Sequence, residues 1–156
     1  MNEYSASSSR KLATCHPDLQ RLFRSVLQDR DNTIIFGHRT PTLQFDLFKQ
    51  GRVLQDGIWV ISDKDAVITN CDGFDKPSMH NYMKDGQPYS LAVDSAPYTN
   101  GRMLTSEVGL AYYAGYVMHR AEQLGIPLRW GGDWDGDNDD TDQRLHDLFH
   151  YELINY

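Results

Sequence analysis

Cysteine is scarce. Only Cys15 and Cys71 occur among 156 residues. They form no C-x-x-C pair, which excludes a cysteine zinc knuckle and a thioredoxin-like redox site; two reduced thiols are expected. Long apolar runs are missing too. No stretch approaches the ~20 apolar residues that span a bilayer, so membrane insertion is not expected. Residues 1–10 lack the apolar stretch of a secretory signal and read as a flexible polar tail ahead of one domain over 11–156. Basic charge is in deficit, with 15 Lys and Arg against 22 Asp and Glu and a net charge of −7. That argues against nucleic acid as a partner, because phosphate binding requires a basic surface. H-E-x-x-H does not occur, which excludes a metal site borne on one helix. What is present is a composition 40% apolar and 12% aromatic, enough for a packed core in a chain of this length.

Hydrophobic spacing predicts three helices. Leu19, Leu22, Phe23, Val26 and Leu27 share a stripe over 17–30, and Pro17 suits the first helical position. Thr40, Pro41 and Gly51 bound a helix over 41–50. A third over 106–124 is capped by Thr105 and presents Val108, Ala111, Gly115 and Met118 on one face. Short strands are expected at 33–36, 91–94, 128–130 and 149–154. Two more, 58–61 and 66–69, would flank a turn at Asp63–Asp65. Helices come first and no βαβ rhythm repeats, so the fold class is α+β: a small, mainly antiparallel sheet carrying the metal site, packed by about three helices.

Six histidines are dispersed along the chain, so any metal site must gather ligands from separate elements. Ser78-Met79-His80-Asn81-Tyr82, then Leu91-Ala92-Val93-Asp94, and finally Asp147 to Leu153 are suited to that. Two imidazoles and one carboxylate meeting on one sheet face would leave a single net positive charge on Zn²⁺. Such an ion lowers the pKa of water and polarises a carbonyl.

These segments resemble the peptidoglycan-cleaving zinc peptidases that include D-alanyl-D-alanine carboxypeptidases and phage L-alanyl-D-glutamate endolysins. The pattern S-x-H-N-Y-G-L-A-V-D is matched by Ser78, His80, Asn81, Tyr82, Leu91, Ala92, Val93 and Asp94. Trp130-Gly131-Gly132-Asp133-Trp134 and Asp147 to Leu153 match the closing pattern, and Arg39-Thr40 with Gln44 the early R-T-x-x-x-Q. The resemblance implies that His80, Asp94 and His150 bind zinc and that Asp147 is the general base. This chain departs from the pattern at Met83–Ser90, where the family has one glycine. Lys84 to Pro88 is turn chemistry, which predicts a hairpin at the rim of the site. Asp85 in that insert is a competing carboxylate, but Leu91-Ala92-Val93 supply the rigid strand that favours Asp94.

Arg39 is expected to steady a developing oxyanion or hold a substrate carboxylate. Gln44, Ser78 and Asp133 are candidates for orienting the metal ligands, and His146 is a neighbour of the site. Trp130 and Trp134 suit either the core or a substrate wall. Asp133, Asp135, Asp137 and Asp139 alternate as calcium loops do, although no glutamate stands at the twelfth position. A looser Ca²⁺ cage is therefore a second cofactor expectation. The chain is expected to act as a monomer on bacterial peptidoglycan, hydrolysing the L-alanyl-D-glutamate bond. It would be made in a host cytoplasm and reach the wall through a membrane pore. The competing readings are a D-alanyl-D-alanine carboxypeptidase or dipeptidase and a non-catalytic, metal-stabilised wall-binding module.

Overall fold

The computed structural model describes residues 2–137, 139, 141–143 and 145–155. In chain order it holds α1 (Ala6–Leu12), α2 (Pro17–Asp29), β1 (Asn32–Phe36), α3 (Pro41–Phe48), β2 (Arg52–Gln55) and β3 (Ile58–Ile61). A single 3₁₀ turn (Met79–Asn81) follows, then β4 (Met83–Lys84), β5 (Gln87–Pro88), β6 (Ala92–Thr99) and β7 (Arg102–Met103). The chain closes with α4 (Glu107–Gln123), β8 (Leu128–Gly131) and β9 (Asp147–Leu153).

The main sheet runs β1-β6-β9-β8, with β7 paired to the far end of β6, and every pairing is antiparallel. This is the α+β arrangement that the sequence predicts. α2 buries the whole expected stripe, Leu19, Leu22, Phe23, Val26 and Leu27. With α4 it covers one face of the sheet, and Phe23 and Tyr113 both meet the ring of Tyr151 on β9.

Four details depart from the sequence reading. Residues 6–12 form a helix rather than a tail: Ser5 caps it, buried Ser8 accepts from the Ile34 amide, and the Tyr4 hydroxyl donates to Asn32. Serine hydroxyls with a local backbone to bond are cap and helix material, which composition alone reads as polar chain. α4 is capped by Ser106 and buries Leu110, Tyr113, Ala114, Val117 and Ala121, whereas Val108 is 82% exposed. Both stripes have helical spacing, and the one with the larger side chains removes more area from water. β3 pairs with β2 rather than with residues 66–69. Asp56 and Gly57 (φ 49° and 82°) make the two-residue turn whose twist matches a hairpin. Finally, β9 begins at Asp147, two residues ahead of the expected strand, and is buried on both faces from His150 to Leu153.

The insert does form a hairpin. β4 pairs with β5 through Asp85 and Gly86, and its residues are exposed.

Candidate metal centre

Register brings two of the three expected ligands together. Asp94 on β6 lies directly opposite His150 on β9, so both side chains emerge on the same face. His80 arrives from the 3₁₀ turn, and the S-x-H-N motif is the device that shapes that turn. The Ser78 hydroxyl accepts from the His80 amide, and the Asn81 side chain accepts from the Ser78 amide at 2.7 Å. The Asn81 amide then donates to the Arg39 carbonyl, while the Arg39 amide donates to the His80 carbonyl.

Three ligand atoms converge. His80 Nε2 lies 3.1 Å from Asp94 Oδ1 and 3.2 Å from His150 Nδ1, and His150 Nδ1 lies 3.2 Å from Asp94 Oδ1. A tetrahedral ion with bonds of about 2.0–2.1 Å would hold its ligand atoms roughly 3.3 Å apart, so the triangle has the required size. The remaining ring nitrogens are committed in the way metal ligands need. His80 Nδ1–H donates to the Gly37 carbonyl at 2.7 Å, and His150 Nε2–H donates to Glu152 Oε2 at 2.8 Å. Each bond turns the other nitrogen's lone pair toward the centre. Asp85 stays in the exposed hairpin and takes no part.

Arg39 sits beside this triangle, 8% exposed. It was expected to face substrate, but both terminal nitrogens are engaged: Nη2 with Asp94 Oδ2 and Nη1 with Gln44 Oε1. Gln44 is fully buried and donates to the Cys71 carbonyl and the Thr69 hydroxyl. The R-T-x-x-x-Q motif is now legible. Thr40 caps α3 by accepting from the Leu43 amide, and one turn later Gln44 reaches back to hold Arg39.

Electrostatics separates the titrating groups. Burial pushes Asp94 up, but His80, His150 and Arg39 together hold it well below the usual carboxylate range. Burial lowers His80. For His150 burial also acts downward, and the hydrogen bonds to Asp94 and Glu152 overcome it, raising the imidazole to about 9. Asp147 moves the other way from Asp94. Burial and the Asp94 charge push it up to about 6.

Asp147 lines a cleft of about 940 Å³ together with Arg39, Asp94, Thr69, Trp130 and His146. The two-glycine motif sets its place: a Cβ on Gly131 would lie 2.4 Å from the Asp147 carbonyl oxygen, and one on Gly132 would lie 2.3 Å from the Trp130 ring. Only glycine permits this close approach.

Asp133 lies away from the triangle. Its Oδ1 accepts from the Gly136 amide. It shares a cluster with Asp135 and Asp137, while Asp139 is turned to the Thr141 amide and hydroxyl. Acidic side chains at the surface often gather in this way, and nothing else among the described residues supports calcium. Sequence reasoning passed over Glu152. Its position two residues after His150, on a strand whose alternate side chains share a face, was the available signal.

The family of phage L-alanyl-D-glutamate peptidases matches residues 1–154. The chain belongs to that family. It is 26% identical to the L-alanyl-D-glutamate peptidase of Escherichia phage T5 over 158 residues, covering 97% of this chain and 98% of the relative. Among solved structures it is similar to the L-Ala D-Glu endopeptidase ChiX of Serratia marcescens, with a TM-score of 0.64 and 22% identity. That match covers 97% of this chain and 89% of the other and carries the fold. Membership makes the chain a peptidase, and the His80, Asp94 and His150 group can hold its metal ion. Among the described residues no helix is long and apolar enough to cross a membrane.

Proposed function

We propose that the chain hydrolyses the L-alanyl-D-glutamate bond of peptidoglycan stem peptides, with zinc held by His80, Asp94 and His150. The observation that carries this reading is the triangle of three ligand atoms 3.1–3.2 Å apart, built from the segments that carry the family's pattern. When bound there, zinc supplies Lewis acidity: it brings the pKa of water toward ~7 and polarises the scissile carbonyl.

The chain's own residues do the rest. Asp147, ionised above about 6, accepts the proton of the attacking water and delivers it to the departing amine of D-glutamate. Arg39 positions Asp94 and adds a fixed positive charge to the cleft wall, where negative charge grows on the carbonyl oxygen. Gln44 and Ser78 act through Arg39 and His80. The proposed acting unit is a monomer. Synthesis in a host cytoplasm and release through a membrane pore fits a phage lysis enzyme.

Incubation with purified peptidoglycan, with and without a chelator, tests the reading through the masses of the released fragments. A new amino terminus on glutamate, abolished by the chelator and restored by zinc, is the expected result. Released D-alanine would mean a carboxypeptidase instead. No fragments from zinc-loaded protein would leave a wall-binding module.

A further inference from the structure

A second cavity, of about 480 Å³, adjoins the metal-binding cleft. On one side it is walled by Ala111, Gly115 and Met118 of α4. On the other stand Trp130, Trp134 and Asp133. Ala111 and Trp130 line the cleft as well, so the two spaces are neighbours. The ring of Trp134, in the cavity wall, lies 5.4 Å from that of His150.

Both indole N–H groups are committed to the protein. Trp130 donates to the Leu148 carbonyl at 2.9 Å and Trp134 to the Leu145 carbonyl at 2.7 Å. The rings are therefore fixed: the Arg129 guanidinium lies over that of Trp134, Gly132 packs on that of Trp130, and both line the cavity. Arg129, the cation in this wall, is bound to Glu152 and to the Trp134 carbonyl, while Asp133 and Asp135 make the rim acidic. A ligand bearing carboxylates is repelled by such a rim. An uncharged ligand rich in hydroxyls, with an apolar C–H face, is favoured, because carboxylates accept from hydroxyls and indoles pack on C–H groups.

In wall peptides, D-glutamate and later residues carry carboxylates. On the alanine side lies an uncharged N-acetylated amino sugar. A residue spans about 3.3–3.6 Å, so that sugar sits roughly two residue lengths from the scissile bond, on the scale that separates the cleft from a cavity sharing Ala111 and Trp130 with it. We propose that this cavity is the saccharide subsite of the cleft and receives the amino sugar bonded to the L-alanine. The proposal rests on the chain acting on stem peptides.

Gly115 provides the test, since no heavy atom lies within 4 Å of a Cβ built there and Gly115→Phe fills the cavity without disturbing the core. One arm records the indole N–H signals by NMR during titration with the uncleavable product, N-acetylglucosaminyl-N-acetylmuramyl-L-alanine, and separately with a sugar-free stem peptide. The product should shift Trp130 and Trp134 but not Trp59, and the sugar-free peptide should leave all three in place. The other arm measures kcat/KM on stems with and without the disaccharide. The wild-type chain should prefer the sugar-bearing stem by about tenfold. Gly115→Phe should erase that preference and keep the sugar-free rate. Absence of a shift with the product, the same shift with the sugar-free peptide, or equal loss on both substrates would overturn the subsite. Indole shifts without cleavage of either substrate would retain the subsite and reject the L-alanyl-D-glutamate reading. Cleavage without shifts would do the reverse.

Discussion

His150 and Glu152 face each other on one strand, with Nε2 2.8 Å from Oε2, and the other carboxylate oxygen of Glu152 is held by Arg129. This chain of contacts fixes the imidazole tautomer and its angle, so that Nδ1 points at the centre. Partners of this kind commonly contribute 10- to 100-fold to metal affinity. Glu152→Gln should therefore weaken zinc binding by about 10- to 100-fold, measured by competition with a chromophoric chelator. Activity should return at excess zinc. Loss of activity that zinc does not restore would place Glu152 in the chemistry itself.

Asp147 offers two opposite readouts. As the proposed base, it must be ionised, so the acid limb of kcat/KM should fall as pH drops through about 6, and Asp147→Asn should lower the rate by about 10²- to 10⁴-fold while zinc is retained. Stability carries the opposite sign. The folded pKa lies above the unfolded one, so the folded state loses stability as pH rises from the ordinary carboxylate value of 3.8 to about 6, and the whole loss stands above that. In metal-free protein at pH 7.5, Asp147→Asn should stabilise by roughly 1–3 kcal/mol, as read by urea denaturation. A destabilised variant would contradict this.

Arg39→Lys keeps the charge and loses the fork. A single ammonium cannot serve Asp94 and Gln44 together with the same geometry. The expected result is a rate about 10- to 100-fold lower, with zinc bound more weakly. Gln44→Leu should reproduce part of this loss through Arg39. A change in KM alone for Arg39→Lys would instead show that Arg39 binds substrate.

The Tyr151 hydroxyl is buried without a hydrogen-bond partner among the described residues, and its ring packs between Phe23 and Tyr113. Removing an unsatisfied buried hydroxyl relieves a desolvation penalty of roughly 1–3 kcal/mol. Tyr151→Phe should therefore raise the melting temperature with no effect on activity, whereas a lower melting temperature would reveal an ordered water or another partner at that oxygen.

The site was more legible in the sequence than the fold around it. Ser78, His80 and Asn81 form a self-capped turn, so their motif carries its own geometry. The Asp94 and His150 pairing joins two strands whose existence was readable, although β6 runs on to Thr99 and β9 already begins at Asp147. The role of Arg39 was not readable, because nothing local tells that its fork meets Asp94, 55 residues later. On α4, two stripes have equal helical spacing, and only the sheet beneath selects Leu110, Tyr113 and Val117 over Val108 and Gly115. The first helix was missed for a similar reason. Its serines look like solvent-facing chain until Ser8 meets the Ile34 amide.

X-ray absorption at the zinc edge, on protein carrying one zinc per chain, tests the central claim most directly. It should show only nitrogen and oxygen neighbours at about 2.0–2.1 Å, two of them imidazoles, and that signal should vanish in His80→Ala and in His150→Ala. A sulfur neighbour at about 2.3 Å, or zinc retained in both variants, would contradict it.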